Sequence, residues 1–171
     1  MTRLLITSDL HLGHNNIHKY RTQFKTAEQH HAYVFEQLVN TIKKRDSIIF
    51  LGDVAFTKEW LREITSISCA KKLLICGNHD TERDIKMKDI VEAYDDVMAL
   101  HSRKGYWFSH CPIHPNEMRG KTGNIHGHLH DKQIGVTFKG VFHRDQRYLN
   151  ACLEHTGYAP ISFEDLVKRG I

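Results

Sequence analysis

The chain has 171 residues, of which 40% are apolar and 26% charged. That is one domain's worth of ordinary globular composition, enough to bury about two-thirds of its unfolded surface without staples, and it excludes a disordered or fibrous protein. The formal charge of +4 carries no long Lys/Arg block of the kind that marks a nucleic-acid arm.

In chain order, RLLITSD (3–9), SIIFLGD (47–53) and KKLLICGN (71–78) are nearly continuous apolar runs ending in polar turns. Such runs predict strands buried on both faces. Between the first two, residues 26–45 predict a helix: Thr26 and Gln29 have capping-box spacing, and Tyr33, Leu38 and Ile42 share an inward stripe. Residues 57–68, with Trp60, Leu61, Ile64 and Ile67 at helical spacing, and residues 81–94 predict two more helices. Beyond residue 95 the pieces shorten to DVMALHS, GYWFSH, GNIHGH, GVTFKGVFH and RYLNACLE, which predict a second, more antiparallel sheet. PISFEDLVKRG (160–170) predicts a closing helix, with Ser162 and Asp165 in capping positions. PIHPNEMRGKTGN (112–124) is a long irregular loop, and such loops are more often functional than idle.

A single domain over residues 1–171 is expected, in the cytoplasm. No apolar stretch approaches the ~18 to 20 residues of a membrane span, and neither an anchor nor a signal peptide is expected. Cys69, Cys76, Cys111 and Cys152 form no C-x-x-C pair, so neither a disulfide framework nor a thiolate zinc site is expected.

Fourteen histidines are the compositional outlier. Asp9-Leu10-His11 follows the first strand, where residues two apart project to one side and can converge on one ion. Gly52-Asp53 and Gly77-Asn78-His79-Asp80 each place a glycine before a polar group, at the strand ends where parallel sheets form their sites. Asp53 and Asn78 also suit the plainer role of capping the following helices. In the second half, Ser109-His110-Cys111 ends one run, and Gly127-His128-Leu129-His130 repeats the i, i+2 spacing of Asp9 and His11. The pairing favours ligation for these, while His18, His30, His31, His101, His143 and His155 read as packed or exposed bystanders. Cys111 reads as a small buried hydrophobe.

Taken in order, D-x-H at 9–11, G-D at 52–53, G-N-H-D at 77–80, His110 and G-H-x-H at 127–130 resemble the signature of calcineurin-like metallophosphoesterases. The closing RYLNACLEHTGYAPISFEDL is similar to the end of small bacterial and phage-type members. The resemblance implies an α/β fold: a two-sheet sandwich flanked by helices, in four layers α-β-β-α. It implies one cation held by Asp9, His11, Asp53 and His130 and a second by Asp53, Asn78, His110 and His128, with Asp53 shared. Manganese leads among the cations such N/O ligands suit, ahead of iron, zinc, nickel and cobalt. The implied reaction is attack of a metal-bridged hydroxide on a phosphoester. His79 would stabilise the reacting phosphorus or protonate the leaving oxygen, and Asp80 would orient its ring. His14, Arg119 and Lys121 are candidate substrate contacts.

After Asp53 the chain reads V-A-F-T, unlike the G-D-x-V-D-R-G of the serine/threonine protein phosphatase branch. The expected substrate is a small phosphomonoester or phosphodiester, a nucleotide or cyclic nucleotide. The alternatives are a small nuclease or RNA-end phosphatase, or a non-catalytic binding module on the same scaffold.

Overall fold

Side-chain alternation along three short strands divides the interior into two layers. The computed structural model describes residues 2–171. In chain order it places β1 at Leu4–Thr7, α1 at Ala27–Thr41, β2 at Ser47–Phe50, α2 at Lys58–Ser66, β3 at Lys71–Ile75, α3 at Met87–Ala93 and β4 at Asp96–Met98. Then come β5 at Leu100–Arg103, β6 at Tyr106–Ser109, β7 at Gly123–His126, β8 at Gly135–Phe138, β9 at Val141–Arg144, β10 at Tyr148–Asn150, α4 at Leu153–Thr156, β11 at Ile161–Ser162 and α5 at Phe163–Arg169.

Strands β1 to β4 are parallel, with β11 antiparallel on the outer side of β1, giving the order β11-β1-β2-β3-β4. Leu5, Ile48, Phe50 and Leu74 point to one side of this sheet and pack on Val34 and Leu38 of α1, Leu61 and Ile64 of α2 and Ile90 of α3. Leu4, Ile6, Ile49, Leu73 and Ile75 point to the other and meet Phe108, Ile125 and Leu149 of the second sheet, with Phe163 and Leu166 of α5. Both faces of the first sheet are therefore dry, which is why its strands are unbroken apolar runs rather than alternating ones.

Local caps set the helix starts. Thr26, Thr57 and Ser162 each accept a hydrogen bond from the backbone N–H three residues on. The capping box at Thr26 is not reciprocal, because Gln29 turns back to the N–H of Lys25 instead. Tyr33 departs from its expected inward place and is exposed, packing on Phe24 and Tyr158, while His30 and His31 take the buried side of α1. The third helix begins at Met87, not near Thr81. Residues 81–86 form turns because Asp80 is drawn back to the N–H groups of Gly77, Asp53 and Val54, and Arg83 lies at φ +56°.

The second sheet, β10-β7-β6-β5, is more parallel than the sequence suggested. Only β5 and β6, joined through Lys104 and Gly105, run antiparallel; β6, β7 and β10 are mutually parallel. The connecting stretches 110–122 and 127–147 carry the chain back to the same end, as a parallel pair requires. GVTFKGVFH does not join this sheet but forms a separate hairpin of β8 and β9. Residues 112–122 hold a 3-10 turn at Pro115–Met118, and Trp107 on the outer face of the second sheet donates to the Met118 carbonyl.

Among the described residues no helix is long and apolar enough to cross a membrane. The four cysteines are free, and Cys111 is exposed rather than buried as expected.

Two outcomes follow for stability. Phe108 is fully buried between the sheets, so Phe108→Ala is expected to lower unfolding free energy in urea by about 3–5 kcal/mol, whereas Phe138→Ala, at a side chain 62% exposed, should change it by less than about 0.5 kcal/mol. Burial also holds His30 down to about 3 and His31 to about 4, so both are neutral in the fold. The unfolded chain takes up protons near pH 6.5 that the native state refuses, and stability should fall steadily as pH drops from about 6.5 toward 4.

Candidate metal centre

Six parallel strands, β1, β2, β3, β6, β7 and β10, end on one side of the sandwich, and the polar residues that follow them gather there. At this end the two sheets are stitched by a bridge between Ser8 and Cys152. The chain beyond β1 stays paired with the chain beyond β2: Asp9 N–H donates to Gly52 O, His11 to Asp53 O and Leu12 to Val54 O. This ladder holds Asp9, His11 and Asp53 at φ of +57°, +50° and +54°, a region non-glycine residues avoid. His128 and His130 are left-handed too, at +68° and +51°.

Strand alternation therefore does not aim these side chains, contrary to the i, i+2 reading of the sequence. Asp9 and His11 do converge, with His11 Nε2 3.7 Å from Asp9 Oδ1. His128 and His130 do not face one point. His130 Nε2 lies 3.8 Å from Asp9 Oδ1 and its ring stacks on His11, whereas His128 Nδ1 lies 3.2 Å from His110 Nε2. Asn78 Oδ1 is 2.9 Å from that same His110 nitrogen. Asp53 Oδ2 sits between the two groups, 4.0 Å from His11 Nε2 and 3.4 Å from His110 Nε2. Neither Asp53 nor Asn78 caps a helix: Asp53 Oδ1 accepts from the N–H of His79, and Thr57 caps α2.

The polar bookkeeping is one-sided. Asp9 Oδ2 already accepts from Ser8 Oγ, the N–H of His128 and Cys152 Sγ, leaving Oδ1 buried without a partner. Both ring nitrogens of His11 are likewise buried and unpaired. His110 Nδ1 donates to the Leu51 carbonyl, so its Nε2 offers a lone pair. Side-chain oxygens and ring nitrogens of Asp9, His11, Asp53, Asn78, His110, His128 and His130 thus converge, and no lysine or arginine among the described residues pairs with any of them. Cations bound at about 2.1 Å hold adjacent ligands about 3.0–3.5 Å apart, close to the separations here. Among the described residues, three sets of potential ligand atoms lie within 4.8 Å of one another: Asp9, His11 and His130; Asp9, Asp53 and His110; and His110, Cys111 and His128. The donor set fits a divalent cation. Without one, the crowd draws a proton: burial opposes charge on His110, but the facing Asp53 carboxylate outweighs it and raises the ring to about 9.

His79 stands beside this crowd, half-exposed, with Phe56 stacked on its ring and Nδ1 2.7 Å from Glu82 Oε1. Asp80 does not orient it. Asp80 is buried, with its carboxylate spent on three backbone N–H groups, and burial raises its pKa. Sequence adjacency suggested Asp80; the turn at 80–82 presents Glu82 instead. His14 lines the cleft of about 750 Å³ that opens over the centre, along with Tyr20, His79, His130, Lys132 and Glu154. Arg119 and Lys121 are not among its walls: Arg119 pairs with Glu117, and Lys121 lies over the Trp107 ring. Sequence reading also passed over Arg21 and Glu154, which are paired beside His130; 133 residues separate them, and no local pattern joins them.

Two glycines are dictated by close approach rather than turning. A Cβ on Gly77 would collide with Asp53 Oδ1, and one on Gly127 with Ser8 Oγ and Asp9 Oδ2. Gly127→Ala is therefore expected to reduce manganese uptake at least tenfold in equilibrium dialysis, while Gly120→Ala, where a Cβ meets nothing within 4 Å, should leave uptake unchanged even though its φ of +79° makes it strained.

The profile of the calcineurin-like phosphoesterase family matches residues 2–162. An uncharacterized protein of Methanocaldococcus jannaschii is 24% identical over 98% of this chain and 91% of its own length. The gene 66 protein of Mycobacterium phage L5 is 33% identical over 47% of this chain and 41% of its own length. Among solved structures, a protein of unknown function from Aquifex aeolicus superposes with a TM-score of 0.72 at 25% identity, covering 99% of this chain and 100% of that one. A nuclease from Pseudomonas putida superposes with a TM-score of 0.51 at 18% identity, over 83% and 68% of the two chains, a likeness of fold. With nearly its whole length matched by the family profile and the strand-end residues gathered as described, the chain belongs to the calcineurin-like phosphoesterase family.

Proposed function

We propose that the protein hydrolyses a small phosphomonoester or phosphodiester, a nucleotide or cyclic nucleotide, using two divalent cations. The observation that carries this reading is the convergence of two carboxylates, an amide oxygen and four imidazoles with no lysine or arginine among the described residues to neutralise them, divided into two groups that share Asp53. Asp9, His11, Asp53 and His130 would hold one cation and Asp53, Asn78, His110 and His128 the other. Manganese is the leading candidate for such mixed nitrogen and oxygen donors, with iron, zinc, nickel and cobalt as alternatives. When bound, a pair of such cations polarises phosphoryl oxygens and acidifies a water for in-line attack.

The chain's own groups do the rest. His79 faces the cleft with its Nδ1–H donating to Glu82; when the ring carries a second proton, its Nε2–H can hand that proton to the leaving oxygen or hydrogen-bond a phosphoryl oxygen. Phe56 fixes the plane of that ring and of His11, and its apolar face excludes water from one side. His14 and Lys132 stand where a phosphate or its substituent would lie. A cleft of about 750 Å³ is the size that encloses a small ligand, which favours a nucleotide over an extended polymer. Against a non-catalytic binding module stands the donor set, complete and accompanied by His79, a half-exposed imidazole that faces the cleft.

Metal analysis and turnover together test the assignment. Asp53→Asn is expected to lose metal and activity at once. His79→Ala should keep its metal content yet lose about 10²–10⁴-fold in kcat on substrates with poor leaving groups. Near-normal rates on an alkyl phosphate would refute the acid role of His79. Assays of chelated protein restored with single metals, on nucleotides, cyclic nucleotides and short oligonucleotides, decide the substrate class; cleavage confined to oligonucleotides, with steep salt dependence of their binding, would favour the nuclease reading.

A further inference from the structure

Arg21 is a guanidinium only 3% exposed, and its donors are spent on groups far apart in sequence. Nε donates to Glu154 Oε1 at 2.9 Å, Nη2 to the backbone carbonyl of Asp9 at 2.7 Å, and Nη1 meets His30 Nε2 at 2.8 Å. An arginine has no acceptor, so His30 Nε2 must accept; its Nδ1–H then donates to His31 Nδ1 at 3.1 Å. The guanidinium is thereby fixed to α1 in a single orientation. The same Glu154 Oε1 lies 3.2 Å from His130 Nδ1. A carboxylate only accepts, so His130 donates from Nδ1 and its Nε2 is left as a lone pair facing Asp9 Oδ1.

One buried cation therefore steadies two donors of the same half of the centre: Asp9 through its carbonyl, where the backbone is left-handed, and His130 through its ring. His110, in the other half, is held instead by the Leu51 carbonyl. We infer that Arg21 and Glu154 are positioning residues for one cation only, the one assigned to Asp9, His11, Asp53 and His130. This rests on the two-cation reading above. Its chemical logic is that of an oriented imidazole: a carboxylate on the far nitrogen fixes tautomer and direction, and removal of such a partner costs about 10–100-fold in metal affinity.

The test is calorimetric titration of the chelated full-length protein with manganese chloride, with thermal melts of the metal-free variants as the check on folding. Wild type is expected to take up two ions per chain. Glu154→Ala should weaken one of them about 10–100-fold and leave the other unchanged. Glu154→Gln, whose amide oxygen still accepts from His130, should recover most of the loss. In a His130→Ala background, Glu154→Ala should add nothing. Weakening of both ions alike, weakening of neither, or an undiminished effect of Glu154→Ala when His130 is already gone would overturn the inference. A wild-type chain that binds fewer than two ions would overturn the two-cation reading itself, and the inference with it.

Discussion

Electrostatic crowding at the ends of five strands is the constraint on which the rest of the molecule depends. Two carboxylates, an amide oxygen and four imidazole nitrogens point at one another across gaps of 2.9–4.0 Å. Such a group is unfavourable in a low-dielectric interior unless a cation or protons are supplied. The fold holds it together anyway. The dry packing of the first sheet on both faces fixes where β1, β2 and β3 end, and the bridge between Ser8 and Cys152 fixes the second sheet against the first.

The backbone shares the cost. Asp9, His11, Asp53, His128 and His130 all sit in the left-handed region, each costing on the order of 1–3 kcal/mol. Hydrogen bonds from the Asp9, His11 and Leu12 N–H groups to the chain beyond β2 hold the first three in place. Small residues at Gly77 and Gly127 let carboxylates of neighbouring strands come closer than a side chain would permit. Strain and crowding thus coincide at the converging side chains, while the sheets and helices beneath them are regular.

Much of this was legible in the sequence because it is local. Thr26, Thr57 and Ser162 cap helices by contacts three residues long, and the apolar runs of β1 to β3 announce burial on both faces. The donors were legible because they follow strand ends. What was not legible depends on the path of the backbone or on distant partners. His128 and His130 look like one pair on a strand, yet left-handed residues turn them toward different neighbours. The parallel β6, β7 and β10 read as antiparallel because their crossovers carry prolines and glycines in place of a long helix. Asp80 was mistaken for the partner of His79 because it is adjacent in sequence, and Arg119 and Lys121 were placed near the cleft only because their loop follows His110. Arg21 and Glu154 could not be matched at all, since nothing short of the fold brings residues 133 apart into contact.

The central claim, that this crowd of lone pairs is a seat for cations, is tested most directly by crystals grown with manganese and measured at its absorption edge. Two anomalous peaks flanking Asp53 Oδ2, one against His11 and His130 and one against Asn78, His110 and His128, are the predicted result. A well-ordered centre without anomalous density, or with density only outside the cleft, would contradict it.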